Sequence, residues 1–459
     1  MLIAARQATR SPAPLVAMAQ SGSGAILSGV LNAMAIKMIA AGAGPAGVAL
    51  LATLQQTRQT ALVAATLNGQ TSLIQGASAL AGCARRLFLR TSIMLLGGAT
   101  ALAVTGILLF PERLSQFAGL SANHASLFRW LAPVVALSCG FVFLSALLNA
   151  LGEVGRLAML QLAAPAAMAA LAWPVAHGFR RGRELPLALM LAASAATGVA
   201  LAAAFLRPRR QELAGWFRGP GSWWSRDAAR RFFSISGAML ISGLLSSATL
   251  VALRGRILRA QGLAATGEFD AAWTISMNHV TLVLASLQAY YLPALARTRD
   301  PDCRAAQIAG VLVPAALAAS CTIAFIALLK PWVLGWFYSH EFLGAARYLR
   351  WTLLGDYLKV TSWILSIPML AAADMRVFLA ADLAAWFTFA ASALALTAWK
   401  TPAESTAMAF VSMYLVHLAI AGIYSRRRHA FAPDRRMRLA WLAGLCVVLV
   451  ASGIGWQSP

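Results

Sequence analysis

The chain has 459 residues, of which 60% are hydrophobic and only 12% charged. A soluble domain carries about a quarter charged residues, so this composition excludes a soluble globular protein and requires lipid around much of the chain. The 38 lysines and arginines outnumber the 15 acidic residues. Because they cluster between apolar runs, they indicate short cytoplasmic loops of a membrane protein rather than nucleic-acid binding.

Apolar runs long enough to cross a bilayer recur from end to end. The first six lie at 14–40, 46–68, 87–110, 126–150, 156–178 and 186–206. After a basic segment, six more lie at 232–253, 268–293, 306–329, 348–372, 376–398 and 405–424, and a last one at 439–456. Basic segments separate many of these apolar runs. If Arg6 and Arg10 are cytoplasmic, most of the basic segments also fall on the cytoplasmic side of the membrane, but those at 179–184 and 254–259 do not.

The sequence therefore predicts an all-α polytopic membrane protein with two six-helix lobes. The predicted parts are an N-terminal lobe at 1–206, a basic cytoplasmic linker at 207–231, a C-terminal lobe at 232–424, and a basic break with one extra helix at 425–459. The two lobes share a weak internal repeat. Lys37 precedes Gly47 and Arg256 precedes Gly267 by similar distances, and each glycine is predicted to open the second helix of its lobe. Such internal repeats are typical of secondary transporters.

A polar stripe runs along the apolar segment at 348–372. Its members, at helical spacing on one face, are Thr352, Asp356, Lys359, Ser362 and Ser366. A charge inside a membrane helix costs about 2.5–3.5 kcal/mol on insertion scales, so these charges need a compensating environment. Two interpretations remain open: Asp356 and Lys359 form a structural ion pair that joins helices, or their face lines a water-filled cavity.

Basic side chains outnumber acidic ones inside the predicted spans. The basic residues are Lys37, Arg58, Arg254, Arg256 and Lys359, and the acidic ones are Asp270, Asp356 and Asp382. This surplus favours an anionic ligand, and arginine in particular suits phosphate oxygens. We predict that the five basic residues, with Gln55 and Gln56, bind substrate, and that Asp356 and, second to it, Asp270 couple transport to an ion. A histidine such as His279 is more often a hydrogen-bonding core residue.

Several kinds of chemistry are not indicated by the sequence. The five cysteines have no metal-ligand or CxxC spacing, and Walker A, HExxH and GxSxG patterns are missing. We therefore predict no catalytic residues, no cofactor and no metal site. The expected protein is a transporter and not an enzyme.

Three segments of the chain resemble a known family. The first segment, AIKMIAAGAGPAGVALLATLQQ, contains Lys37, Gly44, Pro45 and Gly47. The second segment, ATGEFDAAWTISMNHVTLVLASLQAYYLPALAR, contains Gly267, Trp273, Ile275, Ser276 and, at its end, Tyr291–Leu292–Pro293. The third segment contains Tyr338, Glu341, Trp351, Leu354–Gly355–Asp356 and Trp363. Their order resembles that in the O-antigen and lipid III flippases of the multidrug/oligosaccharidyl-lipid/polysaccharide (MOP) exporter superfamily.

This resemblance implies two lobes around a central V-shaped cavity in the bacterial inner membrane. It implies alternating-access transport of an undecaprenyl-diphosphate-linked oligosaccharide from the cytoplasmic to the periplasmic leaflet, driven by protons. A polysaccharide polymerase and a chain-length regulator are the partners that the family implies. The extra span at 439–456 departs from a strict twelve-helix pattern.

Two alternatives stay open at this stage. A multidrug or cation antiporter of the same superfamily would favour a cavity with surplus acid and aromatic residues over one with surplus base. A membrane-embedded polysaccharide polymerase would need a large periplasmic loop, and the predicted outside loops are short.

Overall fold

The structure is a computed structural model and describes residues 14–218, 221–297, 300–372 and 374–453. The described residues form helices joined by turns and short connections, with no strand among them. Arg6 and Arg10 and the last three residues of the predicted span at 439–456 lie outside these ranges.

Eleven long helices among the described residues are numbered in chain order. They are α1 (Pro14–Ala65), α2 (Gly82–Leu109), α3 (Leu131–Ala150), α4 (Val154–Arg180), α5 (Leu185–Leu206), α6 (Arg226–Arg297), α7 (Pro301–Leu328), α8 (Ala346–Ala371), α9 (Met375–Ala395), α10 (Pro402–His429) and α11 (Arg435–Gly453). Shorter helices lie at Gln70–Ala79, Pro111–Phe117, Ala125–Arg129, Arg210–Phe217 and Lys330–Phe337.

Two of the long helices are each broken at a glycine. A straight helix of 52 residues, as in α1, would measure about 78 Å, far more than the roughly 30 Å of a bilayer core. The backbone instead leaves helical geometry at Gly44 (φ 61°, ψ −166°) in α1 and at Gly262 (φ 80°, ψ −179°) in α6. Only glycine adopts these angles readily, so each of the two helices contains two membrane passes.

The positions of these breaks differ from the sequence prediction. Gly47 and Gly267 were expected to open the second helix of each pair, but both lie inside helices, after the breaks. The predicted internal repeat nevertheless holds when it is measured from the observed breaks. Lys37 lies seven residues before Gly44, and Arg256 lies six residues before Gly262.

The predicted all-α membrane fold is confirmed. Among the described residues, ten helices are long and apolar enough to cross a membrane. The helix α8 has 26 residues, enough for a span of about 39 Å, although its charged side chains lower its hydropathy. With α1 and α6 counted as two passes each, the helices follow the predicted order of six, six and one.

By internal contacts the chain divides into two compact units. The first contains residues 1–43 and 53–251, and the second contains 44–52 and 252–459. The units are therefore interleaved along the chain, because the turn and helix start after Gly44 pack with the second unit. The division at the basic linker, 207–231, remains a prediction.

One of the two basic segments that did not fit the predicted membrane orientation has a structural role within the first unit. Arg180, at the end of α4, donates hydrogen bonds to the carbonyl oxygens of Gly42 (2.5 Å) and Ala41 (2.8 Å). These carbonyls immediately precede the break at Gly44 and lose their helical partners there. Arg180 thus satisfies a helix end, which is a structural reason for an arginine at this position.

The basic linker is also attached to the first unit. The guanidinium of Arg90, only 4% exposed, donates to the carbonyl oxygens of Phe217 and Gly221 and lies 5.0 Å from the ring of Trp223. The Ser72 hydroxyl donates to the carbonyl oxygen of Phe232 at 2.9 Å. These bonds hold the linker and the start of α6 against the α2 side of this unit.

An aromatic core organises the second unit. Trp273 packs against Phe269, Phe389 and Phe410 with ring centroids 5.0–6.1 Å apart. A side chain at Gly355 would collide with the ring of Phe410, so glycine lets α8 and α10 approach closely. This core surrounds the polar groups described next.

Candidate functional site

The polar stripe of α8 faces protein in this structure. Thr352, Asp356, Ser362 and Ser366 have no exposed surface, because α8 packs against α7, α9, α10 and α11 and Asp356 is bonded to Ser276 of α6. Its hydroxyls donate to carbonyl oxygens of their own helix, which satisfies them without water. The expectation that this face lines a water-filled cavity is therefore not met here, and only Lys359 keeps part of its surface exposed.

Asp356 is held by one hydrogen bond from α6. The Ser276 hydroxyl donates to its Oδ1 at 2.9 Å, and the Nε2 of His279 lies 3.7 Å from its Oδ2. This second oxygen has no hydrogen-bond partner among the described residues. The second oxygen of this buried carboxylate therefore faces His279 without a hydrogen bond to the described residues.

Lys359 lies one turn from Asp356 on α8 and interacts with it electrostatically. Its ammonium lies 3.3 Å from the sulfur of Met277 and over the rings of Phe410 (5.9 Å) and Tyr414 (5.7 Å). Aromatic faces stabilise a cation, so the charge of Lys359 is compensated by aromatic rings as well as by Asp356.

Arg254 and Asp270 form a buried ion pair. The Nε of Arg254 lies 2.8 Å from Oδ1 of Asp270, and the two side chains are 9% and 1% exposed. The N–H does not point along this line, so the contact is an ion pair rather than an aligned hydrogen bond. The two residues lie eight positions before and eight after Gly262, so the break in α6 brings them together.

Tyr338, from one of the resembling segments, lies close to this pair. It is 4% exposed, and burial raises the pKa of its phenol. The phenol therefore remains protonated and neutral at physiological pH. It interacts with Asp270 and with Thr274, which places a neutral hydrogen-bonding group beside the buried carboxylate.

The other predicted substrate-binding residues divide between the two units. Arg256, in the second unit, donates to Oγ1 of Thr397 at 2.8 Å. Lys37 and Arg58 belong to the first unit together with Gln55 and Gln56. The side chain of Lys37 is exposed, and Arg58 and both glutamines are half-buried.

Arg58 has an unsatisfied buried atom. Its Nε is inaccessible to solvent and finds no hydrogen-bond acceptor in the described part of the chain. A buried donor without a partner costs about 1–3 kcal/mol, so natural proteins rarely keep one without a reason. Arg58 therefore keeps a buried donor that the described residues do not satisfy.

Parts of the three segments that carry the family resemblance meet within the second unit, to which the first segment contributes residues 44–52. A side chain at Gly44 would lie 2.8 Å from the carboxylate of Glu341, and one at Gly267 would overlap the carbonyl oxygen of Pro45. Ser276 bonds to Asp356, as described above. The Tyr291 hydroxyl completes these contacts by donating to the carbonyl oxygen of Ile364 at 3.2 Å.

Sequence reasoning missed the partners of Asp356. Ser276 was noted only as part of a resembling segment, and His279 was interpreted as a core residue. Their shared spacing on α6, three positions apart, places them on one helical face and was the available signal. Glu268, which pairs with Arg347 at 2.9 Å and lies against Gly344, gave no comparable signal.

The fold is shared with membrane transporters of known structure. The chain has the fold of MOP-superfamily transporters: an inward-facing multidrug resistance MATE family transporter of the MOP superfamily superposes with a TM-score of 0.67 at 14% identity, over 91% of this chain and 98% of that one. The lipid II flippase MurJ, in an inward closed conformation, superposes with a TM-score of 0.67 at 12% identity, over 96% of this chain and 98% of its own.

The predicted resemblance to lipid III flippases is confirmed by sequence comparison. The chain is 24% identical over 396 residues to the lipid III flippase of Escherichia coli (strain K12), covering 84% of this chain and 91% of that protein. The lipid III flippase of Shigella flexneri matches to the same extent. No family model matches the chain.

Proposed function

We propose that this protein is a flippase for an undecaprenyl-diphosphate-linked oligosaccharide in the bacterial inner membrane. It would move the repeat unit of an O-antigen, common antigen or exopolysaccharide from the cytoplasmic to the periplasmic leaflet by alternating access. Protons would drive the transport. A polymerase and a chain-length regulator would then use the translocated unit.

The sequence likeness to lipid III flippases carries this proposal. It extends over 84% of the chain and so reaches into both sets of six passes, whereas a shared module would match one part only. The likeness supports a transporter of lipid-linked sugar in preference to a membrane enzyme.

The distribution of basic groups supports a diphosphate as the recognised part of the substrate. Arg254 is already paired with Asp270, but Arg58 keeps a buried donor without an acceptor. Guanidinium groups donate several directed hydrogen bonds to phosphate oxygens. We assign Arg58 as the principal phosphate ligand, with Lys37 and the amides of Gln55 and Gln56, all in the first unit, as further polar contacts. Within the second unit, Arg256 and Lys359 keep their predicted role as substrate-binding groups.

The surroundings of Asp356 support a role in ion coupling. A group couples an ion to transport only if it interacts differently with the two states of the transporter. Asp356 has contacts with residues of two helices, Ser276 and His279 on α6 and Lys359 on α8. A movement between these helices would change its partners, and with them its affinity for a proton. Asp270 is the second candidate.

The test is deletion of the gene followed by analysis of lipid-linked sugars on each face of the inner membrane. A single repeat unit trapped on the cytoplasmic face, restored to transport by the wild-type gene, is the expected result. The same unit accumulating on the periplasmic face would instead indicate a polymerase. Unchanged lipid-linked sugars would contradict both.

The fold likeness to a multidrug resistance transporter, with a TM-score of 0.67, favours a small-molecule or cation antiporter as the second candidate. The two functions differ in their substrates. An antiporter would protect cells from cationic drugs and leave lipid-linked sugars unchanged on deletion, whereas the flippase would do the reverse.

A further inference from the structure

A cavity of about 510 Å³ lies in the second unit beside the extra helix α11. Its walls come from α7, α8, α10 and α11 and from the connection between the last two helices. They are apolar for most of their extent, with Leu312, Leu365, Leu418, Ile423 and Leu442 among them. A water-soluble ligand would find few polar partners here.

The single hydroxyl in these walls is already bonded. Thr361 donates to the carbonyl oxygen of Tyr357 at 2.9 Å and accepts a hydrogen bond from the indole nitrogen of Trp441 at 3.1 Å. The hydroxyl of Tyr357 in turn donates to the carbonyl oxygen of Trp441 at 2.7 Å. These bonds fix α11 to α8 and leave the body of the cavity apolar.

One end of the cavity is strongly basic. Arg426 lies in the last turn of α10 and Arg438 in the first turn of α11, and both line the cavity and are exposed. Because only residues 430–434 separate the two helices, the two guanidinium groups lie at the same end. Neither forms an ion pair with a carboxylate of the described ranges.

The acidic residue in this connection does not neutralise the basic end. The carboxylate of Asp434 accepts a hydrogen bond from the backbone N–H of Met437 at 2.7 Å and so caps α11. Arg438 contacts only the backbone oxygen of Asp434, at 3.4 Å. Additional arginines at Arg427, Arg428, Arg435 and Arg436 strengthen the positive potential around the opening.

The dimensions of the cavity match an amphiphile. From Arg426 to Leu418 the α10 wall extends eight residues, or about 12 Å, from the charged opening into the apolar interior. An occupant therefore needs an anionic head at the helix ends and a hydrocarbon chain along the helices. Basic residues at the cytoplasmic ends of membrane helices attract anionic lipids.

The geometry points to a binding site for an anionic glycerophospholipid of the surrounding membrane. Its phosphodiester binds between Arg426 and Arg438, and an acyl chain occupies the cavity against α7, α10 and α11. The lipid also contacts α8 at Thr361 and Leu365, on the helix that carries Asp356. It thus adds contacts between the extra helix and α7, α8 and α10 to the bonds that Trp441 makes with α8.

The test measures lipid binding to the purified full chain by native mass spectrometry. The probes are phosphatidylglycerol and, as a zwitterionic comparison, phosphatidylethanolamine. The double variant Arg426→Gln/Arg438→Gln should weaken phosphatidylglycerol binding about tenfold or more, as expected for loss of charged hydrogen bonds. Binding of phosphatidylethanolamine should change far less.

A matched control removes two arginines that do not line the cavity. Arg427→Gln/Arg435→Gln lowers the charge of the same helix ends by the same amount and should change binding by less than about twofold, because screened charges act weakly. Equal losses in both double variants would overturn the proposal, since binding would then be a general effect of charge.

A second variant tests the apolar part without touching the arginines. A side chain at Gly422 meets no atom within 4 Å, so Gly422→Phe should fold normally and fill the cavity. It should reduce phosphatidylglycerol binding, and unchanged binding would show that no acyl chain enters. Stronger binding of undecaprenyl phosphate than of phosphatidylglycerol, dependent on Arg426 and Arg438, would also overturn the proposal by assigning the cavity to the substrate lipid.

Discussion

The Ser276 hydroxyl donates a 2.9 Å hydrogen bond to Oδ1 of Asp356, across 80 residues of sequence. The bond joins α6 to α8 and is the principal direct contact of a carboxylate that has no exposed surface. It connects two of the segments that carry the resemblance to lipid III flippases. A change in the relative position of these helices would therefore alter the contacts of Asp356.

Asp356→Asn tests the coupling role. Asparagine has the same shape and can still accept the bond from Ser276, so the protein should fold and insert normally. Without a titratable group, transport of the lipid-linked unit should fall and its dependence on external pH should flatten. Complementation of the deletion strain and transport in vesicles at several pH values would measure both effects.

Asp382→Asn is the control for this experiment. It removes another carboxylate from the same unit and from a membrane helix, but not the one bonded to Ser276. Normal transport with an unchanged pH profile in Asp356→Asn would exclude Asp356 as the coupling group and move attention to Asp270.

The buried ion pair should be important for stability. Arg254→Gln leaves the carboxylate of Asp270, 1% exposed, without its countercharge, and breaking a buried pair costs about 3–5 kcal/mol. The double variant Arg254→Gln/Asp270→Asn should recover much of this loss, because no uncompensated charge remains. Thermal unfolding in detergent would compare both variants with the wild type.

A pair with one exposed partner in the same unit provides the comparison. Arg347 lies 2.9 Å from Glu268, and the two side chains are 51% and 18% exposed. Solvent screens the Arg347 charge, so Arg347→Gln should cost only about 0–1 kcal/mol. Similar losses for Arg254→Gln and Arg347→Gln would show that burial does not strengthen the Arg254–Asp270 contact.

The sequence predicted the helices well because apolar length and Arg-rich breaks are properties of the chain alone. It misplaced the breaks because several glycines lie together in the segment at 42–47, and only the backbone angles identify Gly44 as the one with positive φ. It identified Arg254 and Asp270 singly. Their pairing depends on the reversal at Gly262, which spacing within one helix cannot reveal.

A second feature that could not be predicted from the sequence is what covers the polar face of α8. Periodicity correctly placed Thr352, Asp356, Ser362 and Ser366 on one side of a helix. It does not determine whether water or protein covers that side, because a buried polar network and a cavity wall have the same pattern. The difference lies in which helices pack against α8, among them α6 through Ser276, and no local pattern encodes that packing.

Close backbone packing predicts a strong effect at one glycine. A side chain at Gly267 would overlap the carbonyl oxygen of Pro45, and backbone cannot move away as a flexible side chain can. Gly267→Ala should therefore lower the unfolding temperature and the amount of folded protein. Gly237→Ala, in the same helix but with no atom within 4 Å of the added carbon, should be neutral or slightly stabilising. Equal behaviour of the two variants would refute the close contact.

Arg58 should show opposite effects on transport and on stability. Arg58→Gln removes the predicted phosphate ligand, and a hydrogen bond to a charged group contributes about 1.5–3 kcal/mol, so transport should fall about tenfold or more. The same change removes a buried Nε that has no acceptor among the described residues, so the unfolding temperature should stay equal or rise. Arg58→Lys should retain part of the transport, since it keeps the charge but not the fork geometry.

The exposed Arg129 gives the control: Arg129→Gln should leave both measurements unchanged. A parallel fall in transport and stability in Arg58→Gln would indicate a structural role for this arginine and contradict its assignment as a ligand.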